Sequence, residues 1–281
     1  MPKLSIITVN LNNANGLRKT IISVINQTYK DFEYIIIDGG SSDKSLDVIN
    51  TFSDQLAYWV SEKDHGIYNA MNKGIDGACG EYCLFLNSGD YLINQEILNY
   101  IFSFNITEDI VSGAVIAYSE LNPQKFLLSK ITSSDITLSD LFEVSLNHQA
   151  TFIKRSLFTR YGLYEEKFKI ISDWIFTLKT IVLNNVTFKY LDIAITLYNT
   201  DGRSGSVSEY YTRENLSGLK ELIPPRILAD YQTGYVHDVK RMKKYLLFWI
   251  IFRILNLITI KYDSISKKIM SRRHLKRLIH E

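Results

Sequence analysis

The sequence predicts an α/β fold: an open, largely parallel sheet in its first part, a mixed second part, and a helical C-terminal extension. Three observations carry this. Short β-branched runs alternate with segments of helical apolar period, one strand–helix pair every roughly 25–30 residues. Each early run stops at a polar or glycine-rich loop. Beyond Asp90 the alternation loosens, and short strands, a hairpin and helices follow one another irregularly.

Residues 4–9 (LSIITV) form a short buried strand, closed by the polar loop Asn10-Leu11-Asn12-Asn13. Leu17, Thr20, Ile21, Val24 and Ile25 recur with a helical period, which predicts a helix over 15–27. Residues 32–37 are a second strand, ending at Asp38-Gly39-Gly40-Ser41-Ser42-Asp43, and Leu46, Val48, Ile49 and Phe52 mark the next helix. A third strand is predicted at 56–60 and a third helix on Ile67, Ala70, Met71, Gly74 and Ile75. Residues 82–86 (YCLFL) are a fourth strand, halted by Asn87-Ser88-Gly89-Asp90. Helix is then expected at 96–104, strand at 110–118 with a hairpin partner at 126–131, and helix at 138–144. Further on come strand at 149–153, a helical turn at 156–161, helix at 173–183, strand at 186–198 and a polar helix at 209–223, ended by Pro224-Pro225. The expected division is a domain of residues 1–223, with halves 1–105 and 106–223, and an extension of residues 224–281.

With 281 residues, 46% hydrophobic and 22% charged, the chain can bury a sizeable core and does not read as disordered. The net charge of +2 hides an asymmetry: residues 237–281 carry +9 and the rest −7. An acidic body with a basic tail suggests that the tail meets an anionic surface. Within the tail, the apolar run 245–260 spans sixteen residues, below the roughly 20 needed to cross a bilayer core. Lys240-Arg241, Lys243-Lys244, Lys267-Lys268, Arg272-Arg273 and Lys276-Arg277 flank it. That pattern suits a helix lying in the headgroup region; packing on the body or on a second subunit, as in a homodimer, is the alternative. A nucleic-acid partner is not expected, because residues 246–251 would be an unexplained apolar surface beside the basic residues. Cys79 and Cys83 have neither metal-finger nor disulfide spacing and read as reduced packing residues. The N-terminus lacks a signal-like basic and apolar region. The expected location is the cytoplasm, peripherally associated with the inner face of the cell membrane.

In an open α/β sheet, ligands collect beyond the carboxyl ends of the strands. Asp38 opens a Gly-Gly-Ser-Ser turn there and can accept hydrogen bonds from a base or a ribose, although Ser41, Ser42 or Asp43 can equally cap the next helix. Asp90, on a turn loosened by Gly89, is placed to reach a divalent or phosphate-bound metal. Asp173, between Ile171 and Trp174, is drawn partly out of water and is a candidate base, or the N-cap of the helix that follows. His148, just before a strand, is a candidate for binding an acceptor hydroxyl, a phosphate or a metal; a local hydrogen-bond role is the plainer reading.

Several separate motifs, in order, resemble family 2 glycosyltransferases. They are Ser5-Ile6-Ile7-Thr8-Val9-Asn10-Leu11-Asn12, Ser23-Val24-Ile25-Asn26-Gln27-Thr28-Tyr29, Ile37-Asp38-Gly39-Gly40-Ser41-Ser42-Asp43, Gly66-Ile67-Tyr68-Asn69-Ala70-Met71-Asn72-Lys73-Gly74 and Gly80-Glu81-Tyr82. The resemblance covers about residues 4 to 200 and implies a GT-A fold: a Rossmann-like nucleotide-binding half on a mixed central sheet, then an acceptor-binding half. It implies that Thr8, Val9, Asn10, Asp38, Asn72, Asn87 and Ser88 contact the nucleotide-sugar and that Asp90 holds Mn or Mg. Asp173 corresponds to the catalytic base, and His148 and Trp174 to acceptor contacts. The His148-Gln149 pair is seen in capsule and exopolysaccharide members. Three positions depart from the family pattern. Gly39 replaces a nucleoside-contacting aspartate, Asn87-Ser88-Gly89-Asp90 carries one carboxylate where two are common, and Ser172 stands where a glutamate is frequent.

The activity implied is inverting transfer of a sugar from a UDP- or GDP-sugar to a hydroxyl of a lipid-linked saccharide, in cell-surface polysaccharide biosynthesis. The alternative is a catalytically inactive nucleotide-binding or scaffold protein at the membrane.

Overall fold

The computed structural model describes residues 1–119, 126–128, 133–143, 145–200 and 208–232. The chain divides into two units, Met1–Leu222 and a second beginning at Ile223. The apolar run and basic clusters of the tail lie outside the described residues.

Strand β1 (Leu4–Asn10) is buried at every position, so both of its faces are covered. This explains why its sequence does not alternate between apolar and polar residues. On one side β2 (Phe32–Asp38) pairs with it in parallel, and β3 (Tyr58–Ser61) extends the sheet beyond β2. On the other side β4 (Tyr82–Phe85) is also parallel. Helices α1 (Ala14–Ile25), α2 (Ser45–Phe52) and α3 (Ile67–Gly77) link these strands. Helix α1 turns Leu17, Thr20, Ile21 and Val24 into the core, and the Asn13 side chain caps it by accepting from Gly16 N at 3.1 Å.

The second half contributes β5 (Tyr91–Leu92), α4 (Ile97–Phe102), β6 (Ile110–Tyr118), β7 (Phe126–Leu128), α5 (Leu138–Glu143), β8 (Thr151–Lys154) and α6 (Arg155–Tyr161). Then come α7 (Ser172–Thr177), β9 (Phe188–Asn199) and α8 (Ser208–Leu222). The second unit opens with α9 (Pro225–Gln232). The described strands form one sheet in the order β3-β2-β1-β4-β8-β6-β9-β5, with β7 paired to β6. Strand β8 is antiparallel to both β4 and β6, so the sheet changes from parallel to mixed at that point. This is the α/β architecture expected, with a parallel half and a mixed half in one continuous sheet.

The differences from expectation have local causes. After α2 a single 3-10 turn, Ser53–Gln55, delays β3 to Tyr58. Another such turn, His148–Ala150, delays β8 to Thr151. Strand β5 has two residues, too few to show a period, and exists through its pairing with β9. The helix expected over 173–183 becomes a π-helix at Leu178–Leu183. Around this change the Thr177 hydroxyl bonds back to Asp173 O and the Thr180 hydroxyl to Phe176 O, contacts that tend to bend a helix. Helix α8 ends at Leu222, ahead of Pro224-Pro225 as expected, and Pro225 then begins α9, since the first helical position needs no N–H donor. Of the expected hairpin strand, residues 126–128 form β7, and 129–131 lie outside the described residues.

Cys79 is exposed, Cys83 is buried in β4, and both are free thiols. Burial pushes the Cys83 thiol up to about 12, as expected of a packing residue. The turn into β4 passes directly over the start of β1. Gly80 N donates to Ser5 Oγ at 2.8 Å and to Glu33 Oε1 at 2.9 Å. A Cβ on residue 80 would lie 2.6 Å from Ser5 N and 2.7 Å from Leu4 C, both main-chain atoms of a central strand. We expect Gly80→Ala to destabilise the protein by about 1–3 kcal/mol, read as a lower urea midpoint at unchanged slope.

Candidate active site

The parallel strands β1 to β4 bring their carboxyl ends to one edge of the sheet. Asn10 and Asp38 stand opposite each other there. Asp38 is fully buried, and its carboxylate is occupied by the chain itself. It accepts from Asn10 Nδ2 at 2.7 Å, Ser41 N at 2.9 Å, Ser41 Oγ at 2.6 Å and Ser61 Oγ at 2.6 Å. Burial alone would raise its pKa, but the donors from Ser41, Ser61 and Asn10 outweigh that and hold it below the usual carboxylate value. Beside it, the space that a side chain on Gly39 would fill is taken by the Asp64 carboxylate. The missing side chain at 39 therefore does not leave this corner without an acid. Asn10 Oδ1 is buried and has no hydrogen-bond partner among the described residues.

The loop after β4 is stitched to β1 and α1. Ser88 N donates to Val9 O at 3.1 Å, and Asn13 Nδ2 donates to Ser88 O at 2.9 Å. Gly89, at φ +105°, takes a backbone conformation that disfavours other residues. Its N–H donates to Thr20 Oγ1 at 2.9 Å, and that hydroxyl in turn donates to Asp90 O at 2.7 Å. Asp90 is 5% exposed and accepts from Asn199 N at 3.0 Å. Burial pushes its carboxyl up to about 7, against the pull of His148 and the Asn199 N–H. Asp38 and Asp90 are both buried acids, yet their pKa values move in opposite directions, because four hydrogen-bond donors converge on one and few on the other.

Asp173, in the first turn of α7, meets this loop through one imidazole. His148 Nδ1 lies 3.2 Å from Asp173 Oδ2, and its Nε2 lies 3.0 Å from Asn87 Nδ2. Burial lowers the His148 pKa, but the hydrogen bond and charge of Asp173, with the charge of Asp90, raise it overall. Asp173 Oδ1 accepts from the Tyr68 hydroxyl at 2.8 Å and from Trp174 N at 2.9 Å. Asp173 and Asp90, far apart in sequence, thus serve one edge of the sheet.

Other residues expected to contact ligand are engaged within the protein. Thr8 is fully buried and its hydroxyl pairs with Tyr34 OH at 3.0 Å. The Val9 side chain is buried, leaving only its carbonyl to hold Ser88. Asn72 donates to Tyr164 O at 2.9 Å and accepts from Tyr164 N at 3.0 Å. It therefore fastens α3 to the segment before α7. Trp174 is buried, and its indole N–H donates to Leu141 O at 2.6 Å. Sequence reasoning missed Tyr68, Ser61 and Asn199. Tyr68 lay inside a quoted motif; Ser61 and Asn199 act through partners that no local pattern reveals.

A divalent cation fits this edge only in part. Asp90 is a buried carboxylate with little compensating charge, and Asn87 Oδ1 is buried without a partner among the described residues. Both are hard oxygen donors of the kind Mg or Mn prefers. No group of three or more His, Cys, Asp or Glu among the described residues suits a metal. The donors fit a cation that takes its other ligands from a diphosphate.

Asp90 also makes stability depend on pH. Folded, it keeps a proton up to about pH 7, whereas the ordinary value is 3.8. Its contribution is complete below the unfolded pKa and is lost as pH rises through about 7. We expect Asp90→Asn to melt higher than the parent protein at pH 8 and almost equally near pH 4, by thermal unfolding without ligand.

Residues 5–167 match the family model described as Glycosyl transferase family 2. A PGL/p-HBAD biosynthesis glycosyltransferase of Mycobacterium tuberculosis is 32% identical over 207 residues, spanning 72% of this chain and 78% of its own length. Among solved structures, Staphylococcus aureus TarS 1-349 in complex with UDP-GlcNAc superposes with a TM-score of 0.64 at 20% identity, over 81% of this chain and 69% of that one. The mannosyltransferase PcManGT from Pyrobaculum calidifontis, in complex with GDP-Man and Mn2+, gives 0.56 at 14% identity, over 75% and 59%. The structural likenesses carry the GT-A type of α/β fold. With the family match covering more than half of its length, the chain belongs to glycosyl transferase family 2.

Proposed function

We propose that this protein transfers a hexose, with inversion, from a nucleotide-sugar donor to a hydroxyl of a lipid-linked saccharide in cell-surface polysaccharide biosynthesis, of the capsule or exopolysaccharide type. The single observation that carries this reading is the His148 bridge, which ties the carboxylate of Asp173 to the loop that bears Asp90. The solved neighbours bound to UDP-GlcNAc and GDP-Man support a UDP- or GDP-sugar as donor.

Donor binding falls to the edge formed by Asn10, Asp38, Asn87 and Ser88. Asn10 Oδ1, buried and without a partner among the described residues, is the acceptor left for a ribose hydroxyl or base N–H that reaches this corner, while Asp38 stiffens it through its four donors. A bound divalent cation, held by Asp90 with Asn87, would neutralise charge on the leaving nucleoside diphosphate. Asp173 removes the proton from the acceptor hydroxyl as that oxygen attacks the anomeric carbon from the face opposite the leaving group. His148, with its pKa raised by Asp173 and Asp90, holds the carboxylate in place beside the acceptor. General-base help of this kind contributes roughly 10²–10⁴ in rate.

The acceptor's lipid linkage is inferred from the basic tail, which suits the anionic inner face of a membrane. No helix among the described residues is long and apolar enough to cross a bilayer. The name of the mycobacterial relative, PGL/p-HBAD biosynthesis glycosyltransferase, leaves the polysaccharide setting to be tested directly.

A thermal-shift screen with UDP-, GDP- and TDP-sugars, with and without Mn, identifies the base and tests the metal together, because ligands that bind the native state raise its melting point. We expect Asp173→Asn to keep the parent's thermal shift while losing roughly 10²–10⁴ in transfer. Equal turnover would remove Asp173 as the base, and a shift without turnover in the parent would favour the binding or scaffold role. Deleting residues 237–281 should move the protein from the membrane to the soluble fraction; an unchanged fractionation would refute the anchor.

A further inference from the structure

At Tyr68 two oxygens compete for one proton. This residue lies in the first turn of α3 and is 5% exposed, its ring tilted against Tyr164 at 5.6 Å between centroids. Its hydroxyl is 2.7 Å from Ile170 O and 2.8 Å from Asp173 Oδ1. A phenol donates a single hydrogen, so one acceptor is served well at any moment. Burial, and then the charge of Asp173, push the Tyr68 pKa well above its ordinary value, so the hydroxyl stays protonated.

The choice between the two acceptors follows the charge on Asp173. A hydrogen bond to a carboxylate is roughly twice as strong as one between neutral groups. The proton therefore points at Asp173 while that group is ionised and is free to turn to the Ile170 carbonyl once it is neutral. The other groups facing Asp173 are His148, from the turn before β8, and Tyr164, from the segment before α7; Asp90 acts on His148 through its charge. Tyr68 and the Trp174 N–H both sit on Oδ1. This leaves Oδ2, with His148 beside it, to meet an incoming hydroxyl.

We propose that Tyr68 is a positioning residue for the base: its hydroxyl orients and stabilises the Asp173 carboxylate, then releases it to Ile170 O when the acceptor's proton arrives. The proposal rests on Asp173 being the base. In the step it serves, the acceptor O–H bond breaks and its proton goes to Asp173. The freed electron pair forms the new glycosidic bond, and the bond from the anomeric carbon to the diphosphate oxygen breaks with its pair on the diphosphate. Tyr68 neither gains nor loses a proton overall.

Glu214 provides the control. From α8 it accepts from Lys169 N at 2.7 Å and Ile170 N at 3.0 Å, gripping the same segment as Tyr68 but through its main chain. The experiment compares Tyr68→Phe, Glu214→Gln and Asp173→Asn in the full chain. Nucleoside diphosphate release is measured from UDP-GlcNAc, UDP-glucose, GDP-mannose and TDP-glucose, together with melting temperatures. A second readout needs no substrate: the pH titration of the His148 ring by NMR. We expect Tyr68→Phe to lower kcat roughly ten- to a hundredfold with little change in donor KM. We also expect it to raise the His148 titration midpoint, because the Asp173 charge is then shared with one partner fewer. Glu214→Gln should lower the melting temperature and leave the His148 midpoint in place. An unchanged His148 midpoint in Tyr68→Phe, or the same change in both variants, overturns the positioning role. Normal turnover in Asp173→Asn would instead overturn the base assignment, and the NMR result would still report on whether Tyr68 stabilises the carboxylate.

Discussion

One imidazole joins the two halves of this protein chemically. His148 belongs to the turn before β8, the strand at which the sheet changes from parallel to mixed. One of its nitrogens meets Asp173 and the other meets Asn87. The rest of the site depends on that double contact, because Asp173 and Asp90 stand on elements that no single stretch of chain connects. The half-buried ring ties the Asp173 carboxylate to the loop that carries Asp90 by way of Asn87.

The three acids of the edge show how environment, not residue type, assigns roles. Asp38 is surrounded by donors from three strand ends and behaves as a fixed anion that stiffens the corner. Asp90 is as deeply buried but accepts from one main-chain N–H, so it holds a proton to near neutrality until something positive arrives. Asp173 has donors arranged mainly on one oxygen. An acid without partners is costly to ionise when buried, which is why the number of donors on each carboxylate matters.

Helix α3 has a double duty that its amphipathic pattern conceals. Its apolar face packs on β1 and β2, with Gly74 set against Ile7. Its polar residues reach the second half: Tyr68 to Asp173 and Ile170, Asn72 to Tyr164, and Asn69 to Glu166. These contacts cross about a hundred residues of chain, and they fix the segment before α7 from the side of the parallel half.

The sequence by itself determined the alternation of strands and helices, the edge at which their loops gather, and the identity of Asp38, Asp90, His148 and Asp173 as residues worth watching. Those features are local: apolar period, loop composition and motif spacing are written along the chain. Tertiary structure alone decided which polar residues are spent inside the protein. Thr8 could not be known to pair with Tyr34, Asn72 to hold Tyr164, or Trp174 to turn inward to Leu141, because each partner lies on another element. Likewise the charge state of an acid follows from how many donors converge on it in space. Asp38 and Asp90 look alike in sequence, and only packing distinguishes them.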